Sequence, residues 1–297
     1  MELQYSDFSC NLKAFTILLI HKFTFSVKKL SDSIAMEQET FVSQGRARLS
    51  TVLQTAGKLV SIDDAAEALD LERQDAAKIL ARWTHQGWLA RVGPGLYAPI
   101  PVDALTTQQV IEDPWILAPS LFGPCYIGGW TAAGHHDFTE QIFRSIFVFT
   151  THQVRHKTQT YHGTEFALKH TKEENLFGLK TLWRGGTKLS ISDKHRTIVD
   201  MLDTPETGGG ITHVFECLKA YLKDQESDIN QLIDYAARLG NGAVFKRLGF
   251  LAEQAGVEAL LQPCRDRMTT GNAKLDPAIS SPRLISKWNL WIPETWA

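Results

Sequence analysis

The chain has no paired cysteines, no dominant charge and no long apolar run. Its four cysteines, Cys10, Cys125, Cys217 and Cys264, are far apart and form no C-x-x-C pair, which argues against a zinc ribbon or a thioredoxin-like redox site. Free thiols in a reducing cytoplasm are the simpler expectation, and no metal or cofactor is implied. With 31 basic against 33 acidic residues the net charge is -2, so nothing draws the whole molecule to nucleic acid or to a membrane surface. Any DNA affinity must come from a local patch. The most apolar stretch, residues 14–27 (AFTILLIHKFTFSV), is broken by His21 and Lys22 and falls short of the roughly 20 residues a membrane helix needs. A length of 297 residues with 43% hydrophobic content is enough for two folded domains.

Residues 1–45 read as an N-terminal extension. Ser33-Ile34-Ala35 resembles a signal-peptide cleavage site, although Lys13 supplies only a thin positive region before the apolar run. The alternative is a native start at Met36, where the polar run MEQETFVSQGRARLS begins, with residues 1–35 belonging to an upstream reading frame.

Residues 46–100 carry the pattern of a winged helix-turn-helix. A first helix over residues 46–55 stops at Gly57. Ser61 can cap a second helix, with Asp64 as the acid of a capping box, and Ala65, Ala66 and Leu69 give that helix a small apolar face. In the third segment, residues 71–86, Ala76, Ile79, Leu80 and Trp83 fall at i, i+3, i+4 and i+7 and predict one buried stripe. Stepping about 100° per residue puts Gln74, Lys78, Ala81 and His85 opposite that stripe, with Arg73 and Arg82 on its flanks. Glutamine can read adenine and lysine can reach guanine acceptors, whereas flanking arginines suit phosphates. Residues 88–92 and 96–98 around Gly93-Pro94-Gly95 read as a hairpin wing, whose one basic residue, Arg91, can touch a phosphate. Arg46, Arg48, Lys58, Arg73, Lys78, Arg82 and Arg91 stand against Asp63, Asp64, Glu67, Asp70, Glu72 and Asp75, a net of +1. That is modest for a DNA binder, and a homodimer on DNA would compensate. A winged helix used only for protein contact is the competing reading.

Beyond a linker over residues 101–112, the region 113–270 reads as α+β, strands first and helices after. A helix is expected near residues 114–121, and short β-branched and aromatic runs at 145–151, 158–161, 165–169, 177–183 and 188–191 predict a small sheet. Helical periodicity follows from Asp193, which is placed to cap the first of these helices with Ser192. Gly208-Gly209-Gly210 lacks the phosphate-loop pattern and reads as an interhelical turn. His135, His136, His152, His156, His162 and His170 crowd together but fit no H-E-x-x-H spacing. No nucleophile motif accompanies them, so the chain is not expected to be an enzyme. The alternative, a nuclease-like enzyme targeted by the winged helix, would need clustered carboxylates with a lysine, and the predicted strands offer only Glu165 and Lys169. The tail, residues 271–297, holds Trp288, Trp291 and Trp296, too apolar to leave in water. It should close over the preceding core or present a docking surface.

The segments WLARVGPGLY (88–97), YIGGWTAA (126–133), IFVFTT (146–151) and, most of all, ISDKHRTIVDML (191–202), followed by Pro205-Glu206 and Gly208-Gly209-Gly210-Ile211, resemble AbiEi-type antitoxins of type IV toxin-antitoxin (abortive infection) systems in order and spacing. The resemblance covers residues 45–225 or so. It implies a cytoplasmic transcriptional autorepressor whose winged helix binds operator DNA upstream of its own gene. It further implies a C-terminal domain that counters a cognate nucleotidyltransferase toxin. The family carries no catalytic motif to transfer.

Overall fold

A computed structural model of the chain describes residues 43–101, 111 and 113–296. The expectations for residues 1–42 and for most of the 101–112 linker fall outside the described residues. No helix among the described residues is long and apolar enough to cross a membrane. The chain divides into two compact units, Met1–Thr51 and Val52–Ala297. Of the first, the described part is the beginning of helix α1 (Gln44–Ala56); everything below concerns the second.

The architecture is mixed α+β. After α1 come strand β1 (Val60–Ser61), helices α2 (Ile62–Leu69) and α3 (Arg73–His85), and a hairpin of β2 (Leu89–Gly93) and β3 (Leu96–Pro99). These three strands form one sheet in the order β1-β3-β2. Helix α4 (Leu117–Phe122), preceded by a 3-10 turn, then leads into β4 (Cys125–Ile127) and α5 (Gly129–His135). The main sheet is completed by β5 (Ser145–Thr150), β6 (Thr158–Tyr161), β7 (Thr164–His170), β8 (Leu179–Arg184) and β9 (Thr187–Ser192). Its order is β6-β7-β5-β4-β9-β8. β5 runs parallel to β7, and β4 parallel to β9.

Strand β5 shows why this sheet sits inside the molecule. Side chains alternate across a strand, so Ile146 and Val148 enter a core with Phe122, Phe166 and α4, while Phe147 and Phe149 enter another with Tyr126. Both faces are covered, which gives β5 its unbroken apolar run. The first of these cores also holds Leu59, Val92, Leu96 and Ala98. The hairpin therefore shares a hydrophobic core with the main sheet.

The helical half comprises α6 (Lys194–Asp203), α7 (Ile211–Lys223), α8 (Ile229–Leu239), α9 (Gly242–Gln254) and α10 (Leu261–Arg267). Asp193 caps α6, accepting from the Arg196 amide at 2.7 Å, and every residue from 196 to 202 is buried. Inside this helix the Arg196 guanidinium donates to Asp200 at 2.9 Å and to the Tyr126 hydroxyl at 3.2 Å, and lies 4.1 Å from the Phe177 ring centroid. Tyr126 in turn donates to Asp200 at 2.9 Å. The glycine run before α7 forms a turn, in keeping with its composition. The double glycine ahead of α5 permits a close approach instead, because Gly129 has φ +53° and a Cβ there would meet the Thr207 carbonyl oxygen at 2.3 Å.

The tail adds a second small sheet, β10 (Ala273–Lys274), β11 (Arg283–Ile285) and β12 (Leu290–Ile292). It closes over the helices. Trp288 is fully buried against Gly249 of α9, where any Cβ would collide with the indole, and its Nε1 donates to Glu253 at 2.7 Å. Buried Arg247 donates to the Leu202 and Asp203 carbonyls at 2.8 and 2.9 Å and to Lys274 at 3.0 Å, joining the end of α6 to the tail. Asp276 accepts the Ile211 amide at 3.0 Å at the start of α7. Trp296 packs its edge on Phe215.

Sequence periodicity misses β1, β4 and the tail strands, each of two or three residues. So few residues carry no measurable alternation.

Two outcomes are expected. Trp288→Ala should cost about 3–5 kcal/mol, read as a lower urea midpoint at unchanged m-value. Burial pushes the Asp200 carboxyl up from 3.8 to about 6, against the pull of Arg196. The folded state therefore holds this proton more tightly than the unfolded chain. Its contribution is present below pH 3.8 and lost as pH rises through about 6. Stability profiles of wild type and Asp200→Asn should differ by a slope confined to that window, and parallel profiles would refute the assignment.

Candidate nucleic-acid interface

The first helices are fixed by local chemistry. Ser61 and Asp64 form a reciprocal capping box at α2: the Ser61 hydroxyl accepts the Asp64 amide at 3.0 Å, and Asp64 accepts the Ser61 amide at 2.8 Å. The helix ends at Asp70, whose left-handed φ of 50° turns the chain sharply into α3. Ala76, Leu80 and Trp83 are buried and Ile79 is half-buried, so α3 is anchored along the stripe read from its spacing.

The opposite face of α3 is open. Arg73, Gln74, Lys78, Ala81, Arg82 and His85 are all exposed. Two of these cations are already engaged: Arg73 pairs with Asp63 of α2, and Lys78 pairs with Asp75 at 2.8 Å on its own helix. The Arg82 and His85 side chains make no hydrogen bond or ion pair among the described residues. The Asp75–Lys78 pair was readable from its i,i+3 spacing, whereas Asp63 meets Arg73 only because the 70–72 turn brings the two helix starts together.

The hairpin differs from a free wing. Arg91 is exposed, but its Nε donates to the Gly93 carbonyl at 3.2 Å, and its own carbonyl accepts from His162 Nε2 at 3.3 Å. Val92, Leu96 and Ala98 are buried in the core shared with α4, and the Leu121 side chain lies against Gly93. His162 and Leu121 carry no sequence signal for this role, since both come from distant elements.

The other chemically notable residues are dispersed. His136 Nε2 donates to the Ser192 carbonyl at 2.7 Å, and burial lowers its pKa. His152, His156, His162 and His170 are exposed, and the described residues contain no His, Cys, Asp or Glu group arranged for a metal ion. Burial pushes the thiols of Cys125, Cys217 and Cys264 up to about 12, so they stay protonated. Glu165 is exposed, while Lys169 is held by Asp203 at 3.0 Å and by Thr204.

Residues 48–100 match the sequence model of a family described as transcriptional regulator, AbiEi antitoxin. The match spans α2, α3 and the hairpin. The crystal structure of the RV2827C protein from Mycobacterium tuberculosis is similar in fold, with a TM-score of 0.56 at 15% identity over 84% of this chain and 91% of that one. No curated protein matches the chain.

Asp64→Ala removes one half of the capping box and takes away the acceptor of the Ser61 amide and hydroxyl at the entry to the two-helix unit. A loss of about 1 kcal/mol is expected by chemical denaturation, and an unchanged midpoint would show that the cap does not hold α2.

Proposed function

We propose that residues 46–100 are a winged helix-turn-helix that reads operator DNA upstream of the protein's own gene, and that the chain is a transcriptional autorepressor and antitoxin. The observation that carries this reading is the open face of α3, where Gln74, Lys78 and His85 are flanked by Arg73 and Arg82 opposite the stripe anchored by Ala76, Leu80 and Trp83. Helix and sheet order in this segment, and its match to an antitoxin and transcriptional-regulator family, support the same reading.

In this proposal α3 enters the major groove. Lys78 reaches guanine acceptors, Gln74 reads adenine, and Arg73 and Arg82 set register on phosphates. The ion pairs Arg73–Asp63 and Lys78–Asp75 are exposed on both sides and are worth under about 1 kcal/mol each, so phosphates can displace the aspartates. Arg91 is the weakest of the assigned contacts, because its guanidinium is turned back onto Gly93. One module with this charge binds modestly, and a homodimer on DNA would place two copies on adjacent half-sites. The region beyond residue 113 would counter a cognate nucleotidyltransferase toxin.

The test is binding to duplex from the upstream region against a scrambled duplex. Lys78→Ala should lose about tenfold in discrimination. Arg82→Ala should weaken both duplexes and reduce the salt slope by about one. Salt-insensitive, equal binding to the two duplexes rejects the reading. Coexpression with the neighbouring gene addresses the antitoxin half separately, since Lys78→Ala should lose operator discrimination while still relieving toxicity.

A further inference from the structure

The β8–β9 hairpin is unlike its surroundings in both charge and exposure. Between Leu179 and Ser192 it carries Lys180, Arg184 and Lys188 and no acidic residue. Arg184 is paired with Asp113 at 3.2 Å and, like Lys180, lies on the face of Leu182, which leaves Lys188 as the cation of the opposite face. β9 is in register with β4 only at Ile127↔Ile191, while the hairpin's own pairing continues to Arg184↔Thr187. Its outer part therefore extends beyond the main sheet as a two-stranded ribbon.

The two faces of that ribbon have different fates. Leu182 and Leu189, directly opposite each other, pack with Ile127 and Trp115. On the other face Trp183 stands opposite Lys188, and Thr181 opposite Ser190. Trp183 is 65% exposed, the most exposed tryptophan among the described residues. A groove of about 270 Å³ continues from the same face, lined by Pro119, Pro124, Cys125, Leu179, Lys188 and Ser190. At the Gly185-Gly186 tip, Lys58 lies over Gly185, so a further cation borders the ribbon.

The geometry points to a second nucleic-acid contact on this chain: the Trp183–Lys188 face of the β8–β9 ribbon binds single-stranded nucleic acid. An unpaired base stacks on the Trp183 indole and its phosphate is held by Lys188, with Lys58 extending the positive path at the tip. An indole face and an adjacent ammonium are the two elements of sequence-tolerant strand binding, and Lys188, unlike Arg184, makes no ion pair among the described residues. A paired base within a duplex presents no face to Trp183, so the ligand is a single strand. On the ribbon itself the neighbours of Trp183 on this face, Thr181, Lys188 and Ser190, are polar, while the adjoining groove is lined mainly by apolar Pro119, Pro124, Leu176 and Leu179. This contact does not require operator reading by α3.

The test uses the full chain and fluorescence anisotropy of labelled, mixed-sequence RNA and DNA strands of about twelve nucleotides. Wild type should bind at least one of the two in a salt-dependent manner, the RNA and DNA arms identifying which strand is preferred. Trp183→Ala should weaken binding about tenfold while Trp183→Phe retains most of it, because any aromatic face can stack. Lys188→Glu should weaken binding and flatten its salt dependence. Upstream duplex binding should be unchanged in all three variants, and circular dichroism should match wild type. The proposal is overturned if wild type binds neither strand, if Trp183→Ala binds as wild type, or if Trp183→Phe loses as much as Trp183→Ala. Strand binding abolished by Arg82→Ala but untouched at Trp183 would likewise overturn it and place the strand on α3.

Discussion

A guanidinium buried in the core organises the larger part of this molecule. Arg196 is taken almost wholly out of water, and such a charge is tolerated only where a counter-ion and hydrogen bonds replace the lost solvent. Asp200 one turn along supplies the charge, Tyr126 from β4 closes the triangle, and Phe177 covers the guanidinium face. One nitrogen, Nη1, has no hydrogen-bond partner among the described residues, and a buried ion pair is in any case weak evidence for stability. What it does is demand a single geometry. α6 must be rotated so that Arg196 and Asp200 both face β4, and β4 must be in place to present Tyr126. The strand too short to be seen by periodicity is thus held by a buried polar contact.

The same logic of shared surfaces governs the N-terminal segment. The three-stranded sheet formed by β1, β3 and β2 gives Val92, Leu96 and Ala98 to a core that also contains α4 and the inner residues of β5 and β7. Its hairpin is consequently a structural joint, with Leu121 against Gly93 and His162 on the Arg91 carbonyl. On the proposed reading, this shifts the work of DNA recognition to α3, whose long exposed face is not used in packing.

Legibility in the sequence followed the length of the repeating signal. The α3 stripe, the Ser61–Asp64 cap, the Asp193 cap and the five longer strands of the main sheet could all be read, because each rests on contacts within a few residues or on sustained periodicity. The open face of α3 was readable by the same arithmetic. The ion pair that occupies Arg73, the locking of the hairpin by His162 and Leu121, and the closure of the tail through Arg247 and Asp276 were not, since each joins residues brought together only by the fold. Gly249 illustrates the point. A glycine inside a helix is unfavourable by about 1 kcal/mol against alanine, and nothing near it in sequence explains its presence; the explanation is Trp288, 39 positions away (288 − 249), whose indole lies against it.

Near-neutral charge and DNA binding are compatible if the cations on the reading face are held only loosely by their acids. Arg73 and Lys78 are each paired, yet all four partners are more than half exposed, where an ion pair is screened and weak. Exchange of a carboxylate for a phosphate then costs little, and the aspartates serve as internal competitors that oppose any polyanion equally. A phosphate alone gains little against them. A correctly placed base edge adds hydrogen bonds that an aspartate cannot mimic, so the competition suppresses indiscriminate binding more than cognate binding. On the proposed reading, the modest net charge of the segment would thus be a source of discrimination between cognate and other DNA.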